Sequence, residues 1–525
     1  MKWIQLIIAL SLLVVIHEFG HFLFARLFKV RVEKFYMFFN PQISLFRAKK
    51  VDGKWRFKFL AKNIEPAVVE VEDEVTHMPK KDAKGQPVYR PMTDDERQAL
   101  PEGDWRRSPE NTEWGIGWLP FGGYCSIAGM VDETKSLSDL PSEPQAWEFR
   151  AKPAWQRFFI ILGGILVNFI GAIVIYIGLI AHWGTDAMPL RNIDTGFYYS
   201  ELLLQEGFQQ QDKILTINGE EPEDLGDVVQ WIIIEGKQNV VVLREKDTVA
   251  LTLSPDLGTR YLAIQNEHDK QERQKAHADE LYQKTPYILI SEFIPFIVDS
   301  VIPQNAADFA GIQKGDRIVR INDVETPCTI LVSNELKKHP CDSITVGLYR
   351  EAAILPDSAT AGAPTYQEVR MFIGDQAKMG VFMKSKFDFF ATEHTDYTFW
   401  QAIPAGIQYG WDVLAMYAKQ FKLVFTKEGA QSLGGFGAIS NMFPNQWNWY
   451  MFWNMTAFLS LILAFMNFLP IPALDGGYIL FLLWEMITRK KPSDKFLEVA
   501  NNIGFWLLLA LLIFANGNDI FKAFF

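Results

Sequence analysis

The chain has 525 residues, 49% of them hydrophobic and 22% charged, with a formal net charge of −11; that length exceeds one compact domain. A mean hydropathy of +0.01 excludes a uniformly apolar channel and a disordered polyelectrolyte alike. The negative charge argues against nucleic acid as a partner, and three cysteines are too few for a disulfide framework or a Cys-rich zinc site. An aromatic content of 14%, with 41 Phe and 16 Trp, is high for a soluble enzyme and points to separate apolar and polar blocks.

Residues 1–28 form the first apolar block. Trp3 to Ile16 carries no charge, then His17, Glu18 and His21 appear, and Arg26 and Lys29 close the run. Charge that mostly follows the apolar run, with no Ala-x-Ala site, predicts a retained span and not a cleaved signal peptide. In the polar block 29–157, residues 62–112 are charge-rich with little periodicity and read as a surface insertion or mobile loop. Around them, Gln42–Phe46, Trp55–Phe59, Trp114–Leu119 and Gly123–Ile127 read as strands of a small sheet. The hairpin from Gly117 to Tyr124 is apolar enough to re-enter a membrane where protein shields it.

Residues 158–181 are a second span, with Asn168 the only strongly polar side chain, and suffice to cross ~30 Å of hydrocarbon. The polar block beyond contains a near-repeat. Gly207-Phe208-Gln209, then Asp212-Lys213-Ile214 and Ile217-Asn218, echo Gly311-Ile312-Gln313, Asp316-Arg317-Ile318 and Ile321-Asn322. The pattern resembles the PDZ domain, which binds peptide ends by adding a strand to a sheet edge. Two such α+β domains are expected, at 186–294 and 295–395. The first lacks the turn glycine, because Gln211 stands where the second has Gly315. Cys328 and Cys341 in the second could form a disulfide or remain buried thiols, and Cys125 reads as a structural thiol.

Residues 396–426 mix Asp412, Lys419 and Lys422 with Trp and Tyr and read as an amphipathic interfacial helix. A third span covers 449–486, broken by Pro470 and Pro472, and a fourth covers 497–516. Four spans put Arg26–Lys34, Arg150–Arg157 and Arg489–Lys495 on one side, as the positive-inside rule asks. The expected topology has 29–157 in the cytosol, and both termini and the PDZ-like domains outside it.

His17-Glu18-Phe19-Gly20-His21 is the zincin pattern: residues i and i+4 share a helix face, so two imidazoles can grip zinc with Glu18 beside a water. Such groups inside an apolar helix are costly and rarely kept without function. His17 falls ~21 Å along the helix from Trp3, inside the bilayer. Two histidines leave the site short of a protein ligand, and Asp475 is a carboxylate inside the apolar stretch Asn467-Phe468-Leu469-Pro470-Ile471-Pro472-Ala473-Leu474-Asp475-Gly476-Gly477.

At these two motifs the chain resembles the site-2 proteases, a family of intramembrane zinc metalloproteases. It is most similar to the bacterial group with four spans, tandem PDZ domains and a membrane-reentrant β-hairpin. The resemblance implies zinc held by His17, His21 and Asp475, with Glu18 as catalytic base. It also puts Asn467, Asn168, Gly122 and Gly123 on the substrate side. The implied protein is a polytopic α-helical enzyme of a bacterial inner membrane that cuts single-pass membrane proteins, anti-sigma factors or remnant signal peptides, after a first extracytoplasmic cleavage. PDZ domains would then act as a size filter. Two other classes fit less well. A silent PDZ-bearing scaffold would tolerate loss of Glu18, and a metal transporter would need the inverted repeats that this chain lacks.

Overall fold

Helix α1 (Lys2–Leu27) forms because its run of Leu, Ile and Val meets neither glycine nor proline before Gly20, and in hydrocarbon only a helix satisfies every backbone group internally. The computed structural model describes residues 1–63, 68–70, 89–130, 144–278, 285–350 and 364–524; much of the expected 62–112 insertion lies outside the described residues. Contacts divide the chain into two units. One holds 1–183, 397–418 and 434–520, and the other holds 184–396, 419–433 and 521–525.

In the first unit, three long strands follow α1: β1 (Val32–Val51), β2 (Lys54–Lys62) and β3 (Glu113–Ile127). They pair in the order β2-β1-β3. Positive φ at Phe38 and Gln42 bends β1, so its Lys34–Met37 stretch faces both Glu113–Ile116 and Gly123–Ser126. Gly123–Ile127 thereby becomes a rim of the sheet, with no further strand beside it among the described residues. Each predicted strand stretch falls within one of these strands.

Helix α2 (Ala154–Trp183) is the hub of this unit. It packs against α1, α4 (Trp449–Phe468) and α5 (Asp475–Thr488). It also meets α3 (Phe399–Phe421), where Gly406 and Gly410 lie against Ile177 and Ile173. Its approach to α1 is close because the two backbones meet at glycines: a Cβ on Gly20 would stand 2.2 Å from the Gly163 carbonyl oxygen. The expected block 449–486 is therefore a 20-residue helix and a separate 14-residue helix, divided at Pro470 and Pro472. A last helix, α6 (Asp494–Phe524), follows. Four helices among the described residues are long and apolar enough to cross a membrane: α1, α2, α4 and Lys495–Lys522 of α6.

The second unit holds two lobes, each with its own apolar core. One is built on Phe197, Tyr199, Leu202, Ile214, Val240 and Val242. The other is built on Phe296, Val298, Ile318, Ile321, Val346 and Leu348. The near-repeat in the sequence is a repeat in the fold. Arg244 grips Asp212 at 2.8 Å and donates to the Gly207 carbonyl at 2.8 Å, and Arg350 grips Asp316 at 2.6 Å and donates to the Gly311 carbonyl at 2.9 Å. Asn218 and Asn322 likewise each accept from a later strand, at the Asn239 and Thr345 backbone N–H. Gln211, at φ 71°, takes the left-handed turn that Gly315 takes at 92°, so the missing glycine has not changed the turn. A 22-residue helix, Leu257–Ala278, extends the first lobe. No two of the three cysteines form a disulfide: Cys328 is buried, and Cys341, expected to be buried if unpaired, is exposed. Burial pushes the Cys328 thiol above its ordinary range.

Candidate metal centre

Three side chains from two distant stretches meet inside the first unit. His17 and His21 lie one turn apart on α1, and Asp475 opens α5. The break before α5 aims that carboxylate. Pro470 and Pro472 cannot continue α4, Ala473 turns at φ 74°, and the new helix N-terminus favours a negative charge. The turn closes only on glycine, since a Cβ on Gly476 would stand 2.1 Å from the Leu469 carbonyl oxygen.

Asp475 Oδ2 stands 3.2 Å from His17 Nε2 and 3.4 Å from His21 Nε2, and the two Nε2 atoms are 3.3 Å apart. The side chains are 11–17% exposed, and no hydrogen bond satisfies Asp475 Oδ2. An ion at zinc distances, roughly 2.0–2.1 Å from each donor, would set tetrahedral donors about 3.3–3.4 Å apart. The three donors fit that triangle, and their buried, unsatisfied oxygen is what a cation would engage. They are the only such group among the described residues.

The surroundings set the ring tautomers. His21 Nδ1 donates to the Ile160 carbonyl at 2.9 Å, which leaves the Nε2 lone pair for a metal. Asn168 is fully buried. Its amide nitrogen stands 3.2 Å from His17 Nδ1, while its Oδ1 has no donor. With the amide turned over, that oxygen accepts from a protonated Nδ1 and leaves Nε2 for a metal. Asn168, expected on the substrate side, thus stands beside His17 Nδ1. Ser460 on α4 donates to the Asn168 carbonyl at 2.8 Å, tying a third helix to this point. Gly164 supplies the room, because a Cβ there would lie 2.6 Å from His21 Nε2.

Glu18 is partly buried, beside both histidines, with its carboxylate within hydrogen-bonding reach of the Cys125 backbone on β3. Gly123, two residues earlier on the same rim, meets α1 at Val14, where a Cβ would come within 3.3 Å of Cγ1. Gly122 turns at φ 70° against the Phe39 ring. Asn467 lies, partly buried, in the last turn of α4. Gly164, Ile160 and Cys125 had carried no functional expectation. The one signal for them was a Gly-Gly pair inside an apolar span.

Comparison with known proteins agrees with this geometry. The model of peptidase family M50 matches residues 5–89 and 104–511. A Vibrio cholerae protein named "Putative zinc metalloprotease" is 23% identical, the alignment covering 99% of this chain and 98% of that one. The Haemophilus influenzae "Regulator of sigma E protease" is 25% identical over 80% of this chain and 89% of its own length. A zinc centre is what relatives so named imply, and four apolar helices make this a membrane protein. The chain belongs to peptidase family M50, the site-2 proteases, and is a metalloprotease.

Proposed function

We propose that the chain is a zinc-dependent intramembrane endopeptidase that cuts the transmembrane segment of single-pass membrane proteins. The observation that carries the reading is the meeting of His17, His21 and Asp475 at a metal's spacing, with Glu18 beside a strand rim. His17, His21 and Asp475 hold the ion. When bound, zinc supplies Lewis acidity, which makes water a nucleophile at neutral pH and polarises the peptide carbonyl. Glu18 takes a proton from the attacking water and returns it to the leaving amine. Asn168 and the Ile160 carbonyl fix the imidazoles, and Asn467 contacts the substrate backbone or its oxyanion.

A helical peptide bond is shielded by its own hydrogen bonds, so the substrate must unwind before attack. The Gly123–Ile127 rim offers a template on which an unwound segment adds as a strand, beside Glu18. The duplicated Gly–Asp–Asn frame of the second unit supports reading its lobes as tandem PDZ-like domains. In this reading the protein lies in a bacterial inner membrane, with residues 29–157 cytosolic and both termini and the PDZ-like domains outside. It acts on anti-sigma-type proteins or remnant signal peptides already shortened by another protease. Glu18→Gln tests the assignment. The purified variant should hold one zinc per chain and release no product from a membrane substrate, and proteolysis retained by it would refute the mechanism.

A further inference from the structure

A cavity of about 490 Å³ opens where α1 ends, lined by Arg26, Lys29 and Arg31 from the chain leaving the helix. Trp147 lines it too, and Asp94, Arg97 and Glu110 come from the segment between β2 and β3. Asp94 and Arg97 belong to residues 90–103, which the family match leaves out. Four cations face two carboxylates. Asp94 is already paired with Arg97, and Glu110 accepts from Asn111 at 3.1 Å. Arg26 and Lys29 are exposed, and neither has an ion pair among the described residues.

Arg31 is built in. Its guanidinium stacks 3.6 Å over the Trp147 ring and donates to Glu33 at 3.0 Å, and its Nε is buried without an acceptor. An arginine held in place by Trp147 and Glu33, beside two cations without an ion pair among the described residues, asks for an anion with several oxygens. The position favours a lipid over a solute. The cavity begins in the last turn of an apolar helix, and the neighbouring Leu23 and Leu27 are 46% and 67% exposed. Acyl chains would cover those leucines while the phosphate reaches the cations.

We propose that this cavity binds the phosphate headgroup of an anionic phospholipid. Basic residues at a helix end also serve topology and the helix dipole, but those roles give only diffuse attraction to a charged surface. A built site is stoichiometric and saturable.

The test uses the full-length, zinc-loaded chain in neutral detergent. It is titrated with phosphatidylglycerol, with phosphatidylcholine of the same acyl chains, and with glycerol 3-phosphate without lipid. Retained lipid is counted by native mass spectrometry. The wild type should saturate at one phosphatidylglycerol and retain phosphatidylcholine poorly. Arg26→Gln with Lys29→Asn, both at exposed positions, should weaken that affinity at least about tenfold without changing melting in the absence of lipid. Equal retention of the two lipids, non-saturating uptake, or undiminished binding by the double variant would overturn the proposal. Glycerol 3-phosphate binding as tightly as the lipid would assign the cavity to a soluble phosphate ester and overturn the lipid assignment.

Discussion

His17 and His21 serve a metal only if each ring keeps its proton on Nδ1 and turns Nε2 inward. The Ile160 carbonyl enforces this for His21, and the Asn168 amide is the group positioned to do so for His17. Asn168→Ala should lower zinc affinity by roughly 10–100-fold with helix content unchanged, as read by chelator competition. Unaltered affinity would return Asn168 to the substrate side. The two histidines and Glu18 were legible in the sequence because a spacing of four residues is local helix geometry. Asn168, Gly164 and Cys125 were not legible as partners, because their contacts depend on which faces of α1, α2 and β3 meet. Gln211 keeps the turn without the glycine: the lobe's core and the Arg244–Asp212 pair hold the left-handed backbone that the residue alone disfavours.

Among the elements, α5 carries the most consequence per residue, because it delivers Asp475 and is too short to be fixed by a bilayer. Its apolar face buries Ile479 and Leu482 with Ile160, Ile161 and Ile165 of α2. Its far end is tied by Glu485, which accepts from Arg157 at 2.5 Å with both side chains largely shielded. Removing one partner of such a pair leaves a charge uncompensated, so Glu485→Ala should cost about 3–5 kcal/mol, seen as a lowered melting temperature in detergent. A loss under about 1 kcal/mol would mean that water already satisfies Arg157. The sequence announced the break at Pro470 and Pro472 and so the exposure of Asp475. It did not announce the ion pair, whose members are 328 positions apart.

At the scale of the molecule, the apolar helices gather in one unit with a three-stranded sheet while the other unit holds the two lobes, and averaging over these apolar and polar blocks gives a mean hydropathy near zero. The apolar runs gave the four long helices, since hydropathy over some twenty residues is a direct measure of fitness for hydrocarbon. The helix Leu257–Ala278 was not visible, because its sequence is mostly polar and carries little apolar periodicity. If the lobes screen substrates by size, deleting residues 190–390 should let full-length substrates be cut. Selectivity unchanged by the deletion would remove the filter from the account.

The central claim is that Asp475 completes a metal site with His17 and His21 across 454 positions of chain. Zinc bound per chain, measured by elemental analysis on purified wild type and Asp475→Ala, tests it most directly. The account predicts one zinc in the wild type, and in the folded variant a loss of both the ion and proteolysis. A variant that keeps one zinc at wild-type affinity would contradict it.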